Sequence, residues 1–214
     1  GSVQDALAAA QAAGLQVVLM NPQDDATLTA VKDHPCLLGN VWMDEPIGKL
    51  GSTDMDKLFA DFMAYKQHAN AVAPNMAVFI NDAEWITDPA TQWWIKWNTA
   101  GDVSCHDNYP IYPVTTSIAL GAGGQSPQGI PQSIPLAVSS NKEAKPVWLI
   151  VGAFDAAGPP DARFPFRFAS PRQLRAMVYS GIIHGATGIV YFIWDSYVSR
   201  DGGIIGMSPE PRVQ

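Results

Sequence analysis

The sequence predicts an α/β fold of the (β/α)8 barrel type, and three observations lead there. Segments that are apolar on both faces alternate with helical segments along the 214 residues, which demands a parallel sheet covered by helices. Polar, acidic or aromatic residues gather after the strands: Asn21, Asp44-Glu45, Asn81-Asp82, His106-Asp107, Phe154-Asp155 and Trp194-Asp195. A barrel brings every strand C-terminus to one functional face, whereas an open doubly wound sheet uses a single crevice. No GxGxxG or Walker loop follows any strand, and "GAGG" (121–124) lies within a loop-like stretch, so the barrel is the better prediction.

Each element has its own signal. Residues 3–13 form an Ala-rich helix ended by Gly14, and "LQVVLM" (15–20) is a β-branched strand closed by Asn21-Pro22. A short helix begins at Asp24 or Asp25, and His34-Pro35 leads into the strand "LLGNVW", which runs into Asp44 and Glu45 before Pro46 stops it. Thr53 caps a helix over 53–69 whose apolar stripe includes Met55, Leu58, Phe59 and Phe62. "MAVFI" (76–80) is a strand, and Thr87-Asp88-Pro89 opens a helix carrying Trp93, Trp94 and Trp97, at least two of which face the barrel wall.

"DVSCHDNYP" (102–110) is the next strand. Residues 113–135, rich in Gly, Ser, Pro and Gln, read as a long loop, with a short helix before Lys145. "PVWLIVGAF" (146–154) is an apolar strand, Ser170-Pro171 starts a helix through Ile183, and "TGIVYFIW" (187–194) is the sixth and last strand. Asp155 reads as a loop residue, and His184 as a helix end meeting the last carbonyls.

Composition narrows the function classes. A net charge of −7 argues against nucleic acid or an anionic membrane as partner. No apolar run reaches the roughly 18 residues of a membrane span. Cys36 and Cys105 are too far apart for a metal motif and read as buried thiols, and His34, His106 and His184 share no ligand spacing. No metal or cofactor is therefore expected.

Two acids closing an apolar strand are costly to place there unless they act. Glycosidic cleavage needs a carboxylic acid to protonate the leaving oxygen and a second carboxylate as nucleophile or base. The acid keeps its proton near neutrality in an apolar setting or beside another negative charge, and Asp44 next to Glu45 supplies the latter. A helix cap or a structural ion pair is the plainer reading of the same two residues. Aromatic residues near strand ends, Trp42, Tyr109, Tyr112, Trp148, Phe154 and Trp194, have faces that suit pyranose C–H groups, although Trp148 lies mid-strand, where a core role is commoner.

The stretches "HPCLLGNVWMDEP", "DNYPIYP", "KPVWLIVGAF" and "SPRQLRAMVYSGIIHGATGIVYFIWDS" resemble, in this order, the TIM-barrel glycoside hydrolases of the clan A type. They are most similar to members with D-E-P in place of N-E-P, and the resemblance covers most of residues 34–196. It implies that Glu45 is the general acid/base, that Asp44 takes the position of the Asn that binds the neighbouring sugar hydroxyl, and that "QVVLM" is strand three and "IVYFIW" strand eight. Asp107 is the first choice for a second carboxylate, since "HDNYP" resembles a D-x-Y-P of that group; a hydrogen-bonding or substrate-binding role is the alternative. Asp82 and Asp195 are further candidates, with Asp82 equally readable as the cap of the next turn.

Trp194 is expected to floor a sugar subsite, and Asn81, His106, Tyr109 and Phe154 to line the site with Trp42. The resemblance also implies a carbohydrate substrate and a secreted or periplasmic location. One departure stands out: the family nucleophile is a Glu ending strand seven, and "VWLIVGAF" ends in Gly152-Ala153-Phe154. An adjacent Asp-Glu pair is also found in barrel hexosaminidases whose substrate acetamido group is the nucleophile. A barrel that has lost hydrolysis and binds carbohydrate is the competing reading.

A closed barrel takes eight strands and typically about 250 residues. The sequence is accordingly expected to be a single catalytic barrel domain over 1–214 that lacks strands one and two and the last helix, with "QVVLM" and "IVYFIW" each unpaired on one side.

Overall fold

The computed structural model describes residues 2–83, 90–110, 129–157, 168–199, 202–208 and 211–213. The chain begins with α1 (Val3–Ala12), closed at its N-terminus by a capping box between Ser2 and Asp5. Then follow β1 (Val17–Met20), α2 (Asp25–Val31), β2 (Leu37–Asp44), a 3₁₀ turn over Pro46–Lys49, α3 (Met55–Val72), β3 (Ala77–Asn81), α4 (Ala90–Ala100) and β4 (Val103–Asn108). The second half holds α5 (Gly129–Ser140), β5 (Val147–Gly152), β6 (Asp155–Ala157), α6 (Pro171–Ile183), β7 (Gly188–Phe192), β8 (Ser196–Ser199), β9 (Gly202–Ile205) and β10 (Pro211–Val213).

Six strands pair in parallel in the order β1-β2-β3-β4-β5-β7 and form a partial barrel. The edges are β1 and β7, the two strands that the sequence leaves unpaired on one side. The pleat sorts side chains to two faces. On the outer face Trp42, Val78, Ile80 and Trp97 join Phe62 of α3, while Trp94, Val147, Leu149 and Val151 pack with Ile130, Ile134 and Met177 of α5 and α6. Val41, Phe79, Val103 and Cys105 face the other way, onto the concave side.

Two glycines make that concave layer possible. A Cβ on Gly39 would lie 2.4 Å from the Phe79 ring and 2.5 Å from the Ala77 carbonyl oxygen, and one on Gly188 would lie 2.5 Å from the Trp148 ring. Large rings on β3 and β5 thus sit against strands with no side chain at the point of contact.

The β2–β3 register contains an irregularity. Val41 pairs with Phe79 but Asp44 pairs with Asn81, so β2 carries one residue more than its partner. This bulge sends both Trp42 and Met43 to the helix side and returns Asp44 to the concave side.

Several expectations need correction. Asp54, not Thr53, caps α3 by accepting from the Lys57 amide. Helix α5 occupies part of the stretch read as loop; its prolines disguised it, but Pro131 sits in the first turn, where no amide partner is required, and Ile130, Ile134 and Ala137 are fully buried. Asp155 begins a strand, and β6, β8, β9 and β10 form a second sheet in the order β10-β8-β9-β6, with β6 antiparallel to β9. Strands of three or four residues leave too short a pattern to read.

Other expectations fit the structure. Helix α6 starts at the Ser170 capping box, His184 Nδ1 meets the Ser180 carbonyl at 2.7 Å, and both cysteines are buried and free. The helix start at Thr87-Asp88-Pro89, Tyr112 and most of the long loop lie outside the described residues.

Candidate active site

A cavity of about 540 Å3 opens on the concave face, at the C-terminal ends of the parallel strands. Val18, Val41, Phe79, Trp148, Ile150 and Val190 line its apolar depth; Asp44, Glu45, Asn81, Asp107, Tyr109, Phe154 and Phe192 surround its polar end. Asp44 and Glu45 follow β2, Asn81 ends β3, and Asp107 stands near the end of β4. Parallel strands in register bring these ends to one level.

The backbone at Glu45 is unusual. It is left-handed, with φ 45° and ψ 59°, a conformation that costs a non-glycine residue on the order of 1 kcal/mol or more. Neighbours hold it there: the Glu45 amide donates to the Asn81 carbonyl at 3.2 Å, and the Gly48 amide donates to the Glu45 carbonyl at 3.1 Å. Strain of this kind collects at functional positions.

The side chains form one network. The Asn81 amide nitrogen donates to Asp44 Oδ1 at 2.8 Å and to Asp107 Oδ1 at 3.3 Å. Asp107 also shares a hydrogen bond with the Glu45 carboxyl and another with the Tyr109 hydroxyl. Asp107 is buried, Glu45 half-buried and Asp44 exposed, so the three acids form a gradient from wall to mouth. Tyr109 is stacked on Phe192 at 6.0 Å and meets Phe154 edge-on at 5.3 Å.

Burial, then the negative charge of Glu45 and the hydrogen bond with it, holds the Asp107 carboxyl well above the usual carboxylate range. Two carboxyls in hydrogen-bonding contact cannot both ionise cheaply, so Asp107 keeps its proton beside Glu45. Burial and the charge of Asp107 likewise push the Tyr109 phenol up.

The structure therefore gathers Glu45, Asp107, Asp44, Asn81, Tyr109 and Phe154 around one cavity. Other candidates lie elsewhere. Trp42 is on the helix side of the bulge, stacked on Trp97 at 6.0 Å and tilted against Phe62 at 5.4 Å. His106 points to the same side by strand alternation, fully buried and edge-on to Trp94 at 5.6 Å. Among the described residues neither of its ring nitrogens has a partner, and burial lowers it to about 4.

Asp82 is fully buried and accepts from the Ile47 amide, away from the cavity lining. Trp194, 63% exposed, and Asp195 follow β7 beside Met207 and Ser208, and neither lines the cavity. Conversely, Cys105, Phe79, Phe192 and Met20 line the cavity although the sequence did not single them out for it. Cys105 was findable, since it stands two residues before Asp107 and must share its face.

No known family model matches the sequence, and no curated protein matches it. Solved structures do share the fold. A β-galactosidase from the psychrophilic Marinomonas ef1 superimposes with a TM-score of 0.65 at 12% identity, over 94% of this chain and 47% of that one. The Faecalibacterium prausnitzii β-glucuronidase gives 0.57 at 18% identity, over 86% and 31%, and a Bacteroides uniformis β-glucuronidase 0.55 at 8%, over 94% and 27%. The chain spans less than half the length of each of these proteins, and at such identities the likeness is one of fold.

Proposed function

We propose that this chain is the catalytic barrel domain of a glycoside hydrolase acting on an oligo- or polysaccharide, with Glu45 as the acid, Asp107 as the second carboxylate, and Asp44 tuning Glu45 or binding substrate. One observation carries the reading: Glu45 and Asp107, from neighbouring parts of the sheet, share a hydrogen bond at the polar end of a concave cavity. The fold likeness to β-galactosidases and β-glucuronidases supports it.

In this reading Asp107 holds a proton at neutral pH, hydrogen-bonded to the Glu45 carboxyl. Glu45 is the more accessible partner: it takes up that proton from Asp107 and delivers it to the glycosidic oxygen as the bond to the anomeric carbon breaks. Asp107, having given up the proton, carries negative charge beside the developing positive charge on the sugar ring. Asn81 orients Asp44 and Asp107 through its nitrogen.

A second reading rests on the end of β5. Gly152 and Phe154 meet Tyr109 there, and among the described residues no carboxylate ends the strand, where the resemblance expects the nucleophile. Moreover, hydrogen-bonded carboxyls stand closer than the about 5–5.5 Å of retaining or 6.5–9.5 Å of inverting pairs. A barrel that binds glycans without cleaving them fits both facts.

Turnover of a panel of aryl glycosides and natural oligosaccharides decides. The hydrolase reading expects cleavage that Glu45→Gln lowers by about 10²–10⁴-fold. Saturable glycan binding without turnover at any pH selects the binding module instead.

A further inference from the structure

We propose that Asp82 is the positioning residue for Glu45, acting from the adjacent strand as the N-terminal cap of the turn that Glu45 opens. This rests on the reading of Glu45 as the acid, but the geometry stands without it. A 3₁₀ or α-helical turn leaves its first amides unpaired, and the residue at the cap position normally satisfies one with its own side chain. Glu45 occupies that position before Pro46–Lys49, yet its side chain makes no capping bond. Pro46 has no amide to satisfy. The next amide, of Ile47, donates instead to Asp82, at 3.3 Å to Oδ1 and 3.2 Å to Oδ2.

The division of labour follows. Were Glu45 to cap its own turn, its carboxyl would fold back over Ile47 and leave the cavity. Asp82 takes the capping task, and the Glu45 carboxyl reaches Asp107. The backbone supports the arrangement, since Glu45 N donates to the Asn81 carbonyl immediately before Asp82. Asp82 is fully buried and Ile47 is 2% exposed, so no water competes for the bond.

The role needs an acceptor, not a charge. Asp82→Asn keeps an oxygen for the Ile47 amide; Asp82→Ala removes it. Carboxyl 13C NMR of the whole chain reads the consequence without any substrate. In the wild type the Asp107 carboxyl should titrate well above the ordinary carboxylate range, held there by burial and by Glu45. In Asp82→Ala, with Glu45 withdrawn, the Asp107 titration should fall toward that range, with amide spectra away from the β2 and β3 ends unchanged, and in Asp82→Asn it should stay raised. Where turnover is measurable, Asp82→Ala should lower kcat tenfold or more with KM within about twofold, and Asp82→Asn should restore most of it.

Hydrogen exchange gives a reading that needs no variant: the Ile47 amide should be strongly protected. Rapid exchange at Ile47, an unchanged Asp107 titration in Asp82→Ala, or equal damage from Asp82→Asn and Asp82→Ala would each overturn the proposal. Absence of turnover in the wild type would instead count against the hydrolase reading alone.

Discussion

Asp107 and Glu45 share a hydrogen bond across the β2–β4 strand ends, and Asp107 is buried while Glu45 reaches toward solvent. Burial and the neighbouring Glu45 keep a proton on Asp107. For a hydrolase working through it, the alkaline limb of kcat/KM marks loss of that proton. Asp107→Asn removes the buried carboxyl that holds the proton, so the limb should move to lower pH and kcat should fall by about 10²-fold or more. A pH–rate profile of wild type and variant checks both. An unmoved limb would detach Asp107 from the acid.

Stability should report the same burial. Asp107 and Asp82 both have folded-state values raised above the ordinary one, by burial first and neighbouring carboxylates second. Their contribution is thus fully present below the unfolded value of about 4 and is lost as pH rises through the folded values. Asp107→Asn, which cannot ionise, should raise the melting temperature over wild type, by more at pH 8 than at pH 5. A gain independent of pH would mean that Asp107 does not titrate in this window.

His106 should show the opposite slope. It is buried as the neutral ring, lowered to about 4 from 6.5, so its contribution is present above 6.5 and lost as pH falls toward 4. Its ring nitrogens find no partner among the described residues, and His106→Leu should leave neutral-pH stability unchanged or raise it by about 1 kcal/mol. The loss on acidification should shrink, and turnover should stay within twofold. A collapse of turnover in a folded His106→Leu would return this histidine to the site.

Gly39→Ala tests the concave layer. The new methyl group meets both a ring and a backbone oxygen within 2.5 Å, and the backbone cannot swing aside. Destabilisation of about 1–3 kcal/mol in denaturant titration is expected. A near-neutral result would show that β2 and β3 separate more easily than their pairing suggests.

The sequence made the strands legible because each is apolar on both faces, and it placed the acids because Asp44, Glu45 and Asp107 interrupt that apolarity at strand ends. Facing was harder. Alternation sets His106 opposite Asp107, so that error was avoidable. Trp42 was not recoverable in the same way, because the bulge is a property of the β2–β3 pairing and leaves no mark in β2 alone. Asp82 reads from sequence as a cap of the next turn; its donor, the Ile47 amide, lies 35 residues earlier, and only the fold brings the two together.

The extra residue in β2 also fixes a parity. Counting by twos from Val41, which faces the concave side, reaches Met43 and then Glu45, and would leave Asp44 among the helices with Trp42. The bulge breaks that count once, between Val41 and Asp44, so that Asp44 opens into the cavity beside Glu45. Neighbouring residues on a pleated strand point apart, and the left-handed backbone at Glu45, just beyond the strand, is what brings its side chain to the same cavity as Asp44. Removing one of the two residues between Val41 and Asp44 would restore plain alternation and keep Asp44 on the concave side opposite Asn81; what the extra residue adds is a second apolar side chain, Met43 beside Trp42, in the helix layer. Deletion of Met43 should therefore leave Asp44 facing the cavity and cost only the packing of one side chain in the helix layer.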